Sequence, residues 1–282
     1  MSAKTGIRLV LVALLAAGSA VPVAFTQEIG LQPASVELEI APGARTRQIV
    51  TLANKDRSRP VSVSLSLSGW TQDEAGEVSF GPDDDAEGPS AADWVQFGPP
   101  SVSLAPGQTK QVMIDLAVPA ELVRSGDYRV ALLASTVVQD PAGDWRRQQT
   151  ASLFYLTAGD AASRPKITAS RLTVTETGAP AIGLDFSNTG NAHARLEGTV
   201  EVRGEGGAAM SVPVSGIIVL DGATRSITVP LDGPLPASPV IDVRLDNVFA
   251  PQKDDETEAL KPHRVKTETK VAAFSGPVGG TD

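Results

Sequence analysis

Between Gly126 and Leu156 the chain carries two long period-two runs separated by one short turn, and few folds accommodate such a pair. Tyr128, Val130, Leu132, Ala134, Thr136 and Val138 fall at every second position, the repeat of a strand with one face buried. Asp140-Pro141-Ala142-Gly143-Asp144 then supplies the fixed φ of proline and a permissive glycine, so the chain reverses and returns through Arg146 to Thr157. A hairpin this long must pack a face against a second layer, so the expected fold is a sandwich of sheets.

The rest of the chain repeats the pattern. Val36, Leu38 and Ile40 alternate with Glu37 and Glu39; Thr46 to Ala53 reads as a second strand; Val61-Ser62-Val63-Ser64-Leu65-Ser66-Leu67-Ser68 is the cleanest alternation. Trp70 ends that run, where an indole buries a large area with its N–H near the rim. Thr71 to Ala92 is rich in Asp, Glu, Gly, Ser and Pro and reads as an exposed acidic loop, with Val78 and Phe80 marking a short strand inside it. Trp94, Val95 and Phe97, then Val102 and Leu104, then Val112, Ile114, Leu116 and Val118 restart the strands. Helical periodicity is absent apart from a single possible turn at Ala120 to Arg124.

Ala158 to Pro165 has no large apolar residue and marks a domain boundary. Beyond it the alternation resumes: Leu172 and Val174; Ile182, Leu184 and Phe186; Leu196, Val200 and Val202; Val212 and Val214; Ile227, Val229 and Leu231; Ile241, Val243 and Leu245. A last strand is expected within His263 to Ala273. Ile40-Ala-Pro-Gly, Leu104-Ala-Pro-Gly and Leu220-Asp-Gly each place a turn ahead of a basic residue and an alternating strand, an internal echo of two related halves. The expected fold class is all-β: two tandem immunoglobulin-like β-sandwich domains after a signal peptide. The tyrosine at position 128 stands where such sandwiches place a tyrosine corner, its hydroxyl bonded back to the preceding loop.

Lys4 and Arg8, the apolar run Leu9 to Ala17 and the small residues Gly18-Ser19-Ala20 have the layout of a cleaved signal peptide covering residues 1–20, with Ala24 as a second cleavage point. The apolar run is about half of what a membrane span needs, and no second run follows. The expectation is an exported, periplasmic protein without an integral membrane segment after cleavage. Loss of Lys4 and Arg8 takes the formal charge from −9 to −11, a surface unsuited to nucleic acid or anionic lipid. With no cysteine, stability must come from burial rather than disulfides.

No reactive constellation stands out. His193 and His263 are the only histidines, too few for a transition-metal site, and Asp83-Asp84-Asp85 lacks the spacing and glycine of a calcium loop. No serine lies in a Gly-x-Ser-x-Gly elbow. Gly204-Glu205-Gly206-Gly207-Ala208-Ala209 spells a dinucleotide loop, but strand-like Val212 and Val214 follow where a helix is required, so it reads as a hairpin turn. The expectation is no enzyme, no cofactor and no metal. Trp145 at the hairpin tip reads as packing or, less simply, as a surface for sugar stacking. What remains is backbone: a sandwich edge that exchanges main-chain hydrogen bonds with a partner strand.

Leu31-x-Pro33, Ala41-Pro42-Gly43, Asn54, Trp94-Val95, Leu104-x-Pro106-Gly107, Val118-Pro119, Gly126-x-Tyr128-Arg129 and Leu153-Phe154-Tyr155, in this order, resemble the periplasmic pilus chaperone family, the PapD-like two-domain immunoglobulin proteins. Asn188-Thr189-Gly190-Asn191 looks like the turn after the second strand of the family's second domain. The expected organisation is an N-terminal domain over residues 28–158, a C-terminal sandwich over 165–274 and a disordered tail at 275–282. It also implies that the first domain lends its last strand to a pilus subunit while two basic residues grip the subunit's terminal carboxylate. At those two positions this chain has Ser152 and, near the first strand, Ser35, and Trp145 to Ala151 lacks a row of bulky apolar residues. The expected partner-binding residues are Arg146, Arg147, Gln149, Ala151 and Leu153 on an edge strand, with Tyr128, Trp94 and Trp70 structural. The functional expectation is a periplasmic chaperone-like protein, monomer or weak dimer, that binds an exported surface or pilus-type subunit. The alternative is an envelope adaptor that docks a folded protein or glycan.

Overall fold

The computed structural model describes residues 29–81, 89–139, 143–204, 209–231, 233–236, 239–249 and 263–265. The signal segment, the aspartates at 83–85, the hairpin tip at 140–142, the glycine-rich turn from 205 and the tail lie outside the described residues. The structure is all-β, two β-sandwiches in tandem.

The first sandwich contains β1 (Ile29–Gln32), β2 (Ser35–Glu39), β3 (Arg45–Asn54), β4 (Val61–Gln72), β5 (Val78–Gly81), β6 (Val95–Gly98), β7 (Ser101–Leu104), β8 (Thr109–Ala117), β9 (Gly126–Gln139) and β10 (Trp145–Ala158). One sheet has the order β1-β3-β8-β6 and the other β2-β10-β9-β4-β5, with β7 also on β4. The chain changes sheets between β1 and β2 at Gln32–Pro33, a cis peptide. The facing sides of the two sheets bury Val50, Leu52, Val63, Ile114, Leu116, Val130, Leu132, Phe154 and Leu156. Each such side chain contributes about 1.5–3 kcal/mol by leaving water, which answers the lack of disulfides.

The second sandwich packs a sheet of β11 (Pro165–Val174), β12 (Pro180–Asn188) and β15 (Thr224–Pro230) on another of β14 (Ala209–Val219), β13 (Ala194–Arg203), β16 (Val240–Asn247) and β17 (His263–Val265). Its separate core holds Ile182, Leu184, Phe186, Leu196, Val200, Val202, Val243 and Leu245. The apolar phase of β14 slips by one between Val214 and Ile217 because Gly216, at φ 70°, takes up an extra residue against β13.

The three echoed turns are closed alike, by hydrogen bonds from Ala44, Gln108 and Ala223 to the carbonyls of Ala41, Ala105 and Leu220. In each the third residue, Gly43, Gly107 or Gly222, has positive φ. Asn54 and Asn188, each closing a strand, serve the two halves alike: the amide of Asn54 donates to the carbonyls of Arg59 and Ala105, that of Asn188 to Ala192 and Val219. The Tyr128 hydroxyl donates to the Arg124 carbonyl at 2.7 Å, and its ring lies 4.1 Å from that of Trp94.

Four sequence expectations need correction. β9 is buried on both faces from Gly126 to Thr136, not one, because the second sandwich covers its outer side. Trp70 is 1% exposed and its Nε1 is buried without a partner, so the indole N–H does not reach the rim. Ala120 to Arg124 forms bends and no helical turn; among the described residues a 3-10 turn occurs at Ala92–Trp94. Within the acidic segment β4 runs on to Gln72, and Glu74, itself exposed, accepts hydrogen bonds from Thr224 and Arg225 of the second sandwich.

Candidate functional site

β10 is the strand to which the expected contact residues belong. It pairs with β9 along its whole length, Trp145 opposite Gln139 through Ala158 opposite Gly126. On its other side β2 runs parallel, but only from Leu153 opposite Ser35 to Thr157 opposite Glu39. Among the described residues no strand accompanies that side from Trp145 to Ser152. The Leu153 N–H donates to the Ala34 carbonyl and the Thr157 carbonyl accepts from Ile40, so odd-numbered residues direct their main-chain groups to this edge. By the same alternation the N–H and C=O of Trp145, Arg147, Gln149 and Ala151 point along the uncovered part.

The side chains follow the pleat. Arg147, Gln149, Ala151 and Leu153 share the outer face with Tyr155, whereas Arg146 lies on the opposite face, in line with Ser152 and Phe154. Arg146, Arg147 and Gln149 are exposed; Ala151 and Leu153 are half-buried against the second sandwich. Gln149 also donates from its side-chain amide to the Ser135 hydroxyl. Ser152 is fully buried and donates its hydroxyl to the Pro33 carbonyl at 2.7 Å. It faces the interior of the first sandwich. Ser35 is half-buried in the ladder beside Leu153. Trp70, Trp94 and Tyr128 are buried.

Beyond the uncovered stretch the outer face of the same sheet forms the seat of the second sandwich. Trp70, Ala131, Leu133 and Tyr155 pack with Leu220, and the Trp70 and Tyr155 rings meet edge to face at 4.9 Å. A polar ring surrounds this contact. The Asp127 carboxylate is fully buried; it accepts from the Thr157 hydroxyl at 2.6 Å, the His193 main-chain N–H at 2.5 Å and His193 Nδ1 at 2.7 Å. Since a carboxylate only accepts, Nδ1 carries the proton. Burial by itself would push the Asp127 carboxyl up, but the hydrogen bond and charge of His193, with Thr157, hold it below the usual carboxylate range. Burial also pushes the Tyr155 phenol up, partly opposed by Arg129.

Three further links tie the sandwiches. Arg129 Nη1 donates to Asp221 Oδ1 at 2.6 Å, with Arg124 on the other oxygen at 2.7 Å. Arg129 and Asp221 are 6% and 7% exposed, and the guanidinium lies 5.7 Å from the Trp70 ring centre. Arg195 of β13 pairs with Glu37 of β2. The Glu74 carbonyl accepts from the Ser226 N–H at 2.7 Å and its carboxylate from Thr224. Gly126 is required at the junction: a Cβ there would lie 2.2 Å from the Asn191 carbonyl, which accepts the Asp127 N–H.

The interface residues Asp127, Arg129, His193, Asp221 and Glu37 are not singled out by the sequence. Asp127 and Arg129 read as the solvent face of a strand, and only the docked second sandwich turns that face inward. Among the described residues no cluster of three possible metal ligands occurs, and no helix is long and apolar enough to cross a membrane.

No protein-family profile matches the chain, and no curated protein matches it in sequence. The fold is similar to solved structures. The class 5 fimbriae chaperone CfaA matches at 11% identity and TM-score 0.42, covering 85% of this chain and 99% of that one. A chaperone–tip adhesion subunit pre-assembly complex, CsuC–CsuE of the archaic Csu pili of Acinetobacter baumannii, matches at 12% identity and TM-score 0.40, covering 84% and 97%. The PapD-like domain 7 of human CEP192 matches at 15% identity and TM-score 0.30, covering 55% and 99%. These are likenesses of fold, and no activity or partner follows from them.

Proposed function

We propose that the chain is a periplasmic, chaperone-like protein that receives an exported polypeptide, of the surface or pilus-subunit kind, by strand addition to β10. The observation that carries this is the stretch from Trp145 to Ala151, over which β10 has no second neighbouring strand among the described residues. An edge of this kind is a template for pairing, and proteins normally blunt it. Here it is long, continuous with the parallel β2 segment, and held straight by β9 behind it. Each added main-chain hydrogen bond is worth about 0.5–1.5 kcal/mol net, so a few of them give useful but reversible affinity.

The seat beneath the second sandwich supports the same reading. It keeps the far half of β10 rigid, so that the near half does not lose further conformational freedom on binding. The test is expression in a periplasm of the wild-type chain and of Ala151→Pro. Proline removes an edge donor while leaving the bonds of even residues to β9 in place. An otherwise unstable exported subunit should persist with the wild type and disappear with the variant. A stable folded partner held equally by both proteins would support the adaptor reading instead.

A further inference from the structure

Where β10 is uncovered, its outer face borders a groove lined by Arg59, Ser62, Ser64, Val137, Trp145 and Arg147. Trp145 is 70% exposed and Val137 60%, an apolar pair on neighbouring strands and on one face with Arg147. The two guanidinium groups differ. Arg59 is held by Asp56 at 2.7 Å, whereas the Arg147 side chain makes no hydrogen bond or ion pair among the described residues. Asp144, the nearest acidic residue in the chain, precedes the strand and falls on the parity of the other face.

We propose that the β10 edge selects a strand carrying a carboxylate opposite Arg147 and an apolar residue opposite Trp145. This rests on the strand-addition reading above and names the class of polypeptide that it admits. A residue directly opposite on an added strand shares the face of its neighbour at a Cβ separation of about 4.5–5.5 Å. A carboxylate there meets the guanidinium; a lysine meets a like charge. The positions after Arg147 on this face, Gln149 and Ala151, are polar and small, so a row of bulky apolar side chains finds no complementary surface. The chain as a whole is acidic, with a formal charge of −9, so long-range attraction does not favour an anionic partner. Selection must act at contact, within a Debye length of about 8 Å, which makes it a property of Arg147 itself.

Labelled, strand-forming peptides of about ten residues, identical except for Glu or Lys at the central position and bearing valine two residues away, provide the probe. Fluorescence anisotropy is measured on the full chain, on Arg147→Glu and on Ala151→Pro, each checked for unchanged circular dichroism and melting temperature. The Glu peptide should bind the wild type about tenfold more tightly than the Lys peptide. Arg147→Glu should reverse the order, 0.3 M salt should narrow the gap, and Ala151→Pro should weaken both peptides alike. Equal binding of the two peptides by wild type and Arg147→Glu, still lost in Ala151→Pro, overturns the charge selection and leaves strand addition standing. Binding that survives Ala151→Pro but is lost in Trp145→Ala places the ligand on the groove face, as a stacked glycan would lie, and overturns both. Failure of every peptide to bind the wild type also overturns the proposal.

Discussion

The two halves of β10 have one partner in common and little else. From Leu153 to Thr157 the strand has β9 on one side and β2 on the other, lies inside the molecule and touches the second sandwich. From Trp145 to Ala151 its one neighbour among the described residues is β9, and it has no fully buried side chain and a charged or polar side chain at most positions. One half is therefore structure and the other is surface held in strand form by its neighbour. Rigidity is built into the half that cannot be reached, and a strand edge is left in the half that can.

The comparison breaks most visibly if the buried half loses the β9 carboxylate to which its Thr157 donates. Asp127→Ala leaves the His193 N–H groups and the Thr157 hydroxyl without their acceptor in a site with no water access, and it should cost about 3–5 kcal/mol in chemical denaturation. The loss should appear as loosening between the sandwiches, read as faster amide exchange in both β9 and the turn at 189–193. Thr157→Val removes a single donor to the same carboxylate and should cost about 1–2 kcal/mol by the same measurement.

Proton linkage sharpens the contrast. The Asp127 carboxyl titrates below its value in the unfolded chain, about 3.9, so as pH falls the unfolded state takes up the proton first. The stability that Asp127 supplies is complete above about pH 5 and is lost as pH drops through the folded value. Urea midpoints measured from pH 6 down to pH 3 should fall, and Asp127→Asn should flatten that part of the curve. At the other end of the strand the effects are small. Trp145→Ser changes a side chain that is 70% exposed and should move stability by no more than about 0.5 kcal/mol in urea unfolding, while it weakens peptide binding measured by anisotropy.

The strands themselves were legible because period-two alternation reports directly which side chains leave water. Val130, Leu132 and Ala134 are buried as their spacing requires, and the turns at Gly43, Gly107 and Gly222 follow from residues that tolerate positive φ. Alternation is blind to a second layer on the polar face. Asp127 and Arg129 sit at solvent positions by pattern, yet they are 1% and 5% exposed because Asp221 and His193, more than sixty residues away, complete them. The same blindness hid the fate of the Trp70 indole, sealed by Tyr155 and Leu220. For β10 the sequence marks a strand with a weak apolar face, but not which side of its backbone lacks company, since that depends on where β2 begins.

Amide hydrogen exchange along β10 of the full chain, read residue by residue without a partner, tests the central claim most directly. The N–H groups of Arg147 and Ala151 should exchange orders of magnitude faster than that of Leu153, which donates to Ala34, although all three lie on one continuous strand. Equal protection of Arg147, Ala151 and Leu153 would mean that the edge is already occupied by the protein's own chain, and the account would be wrong.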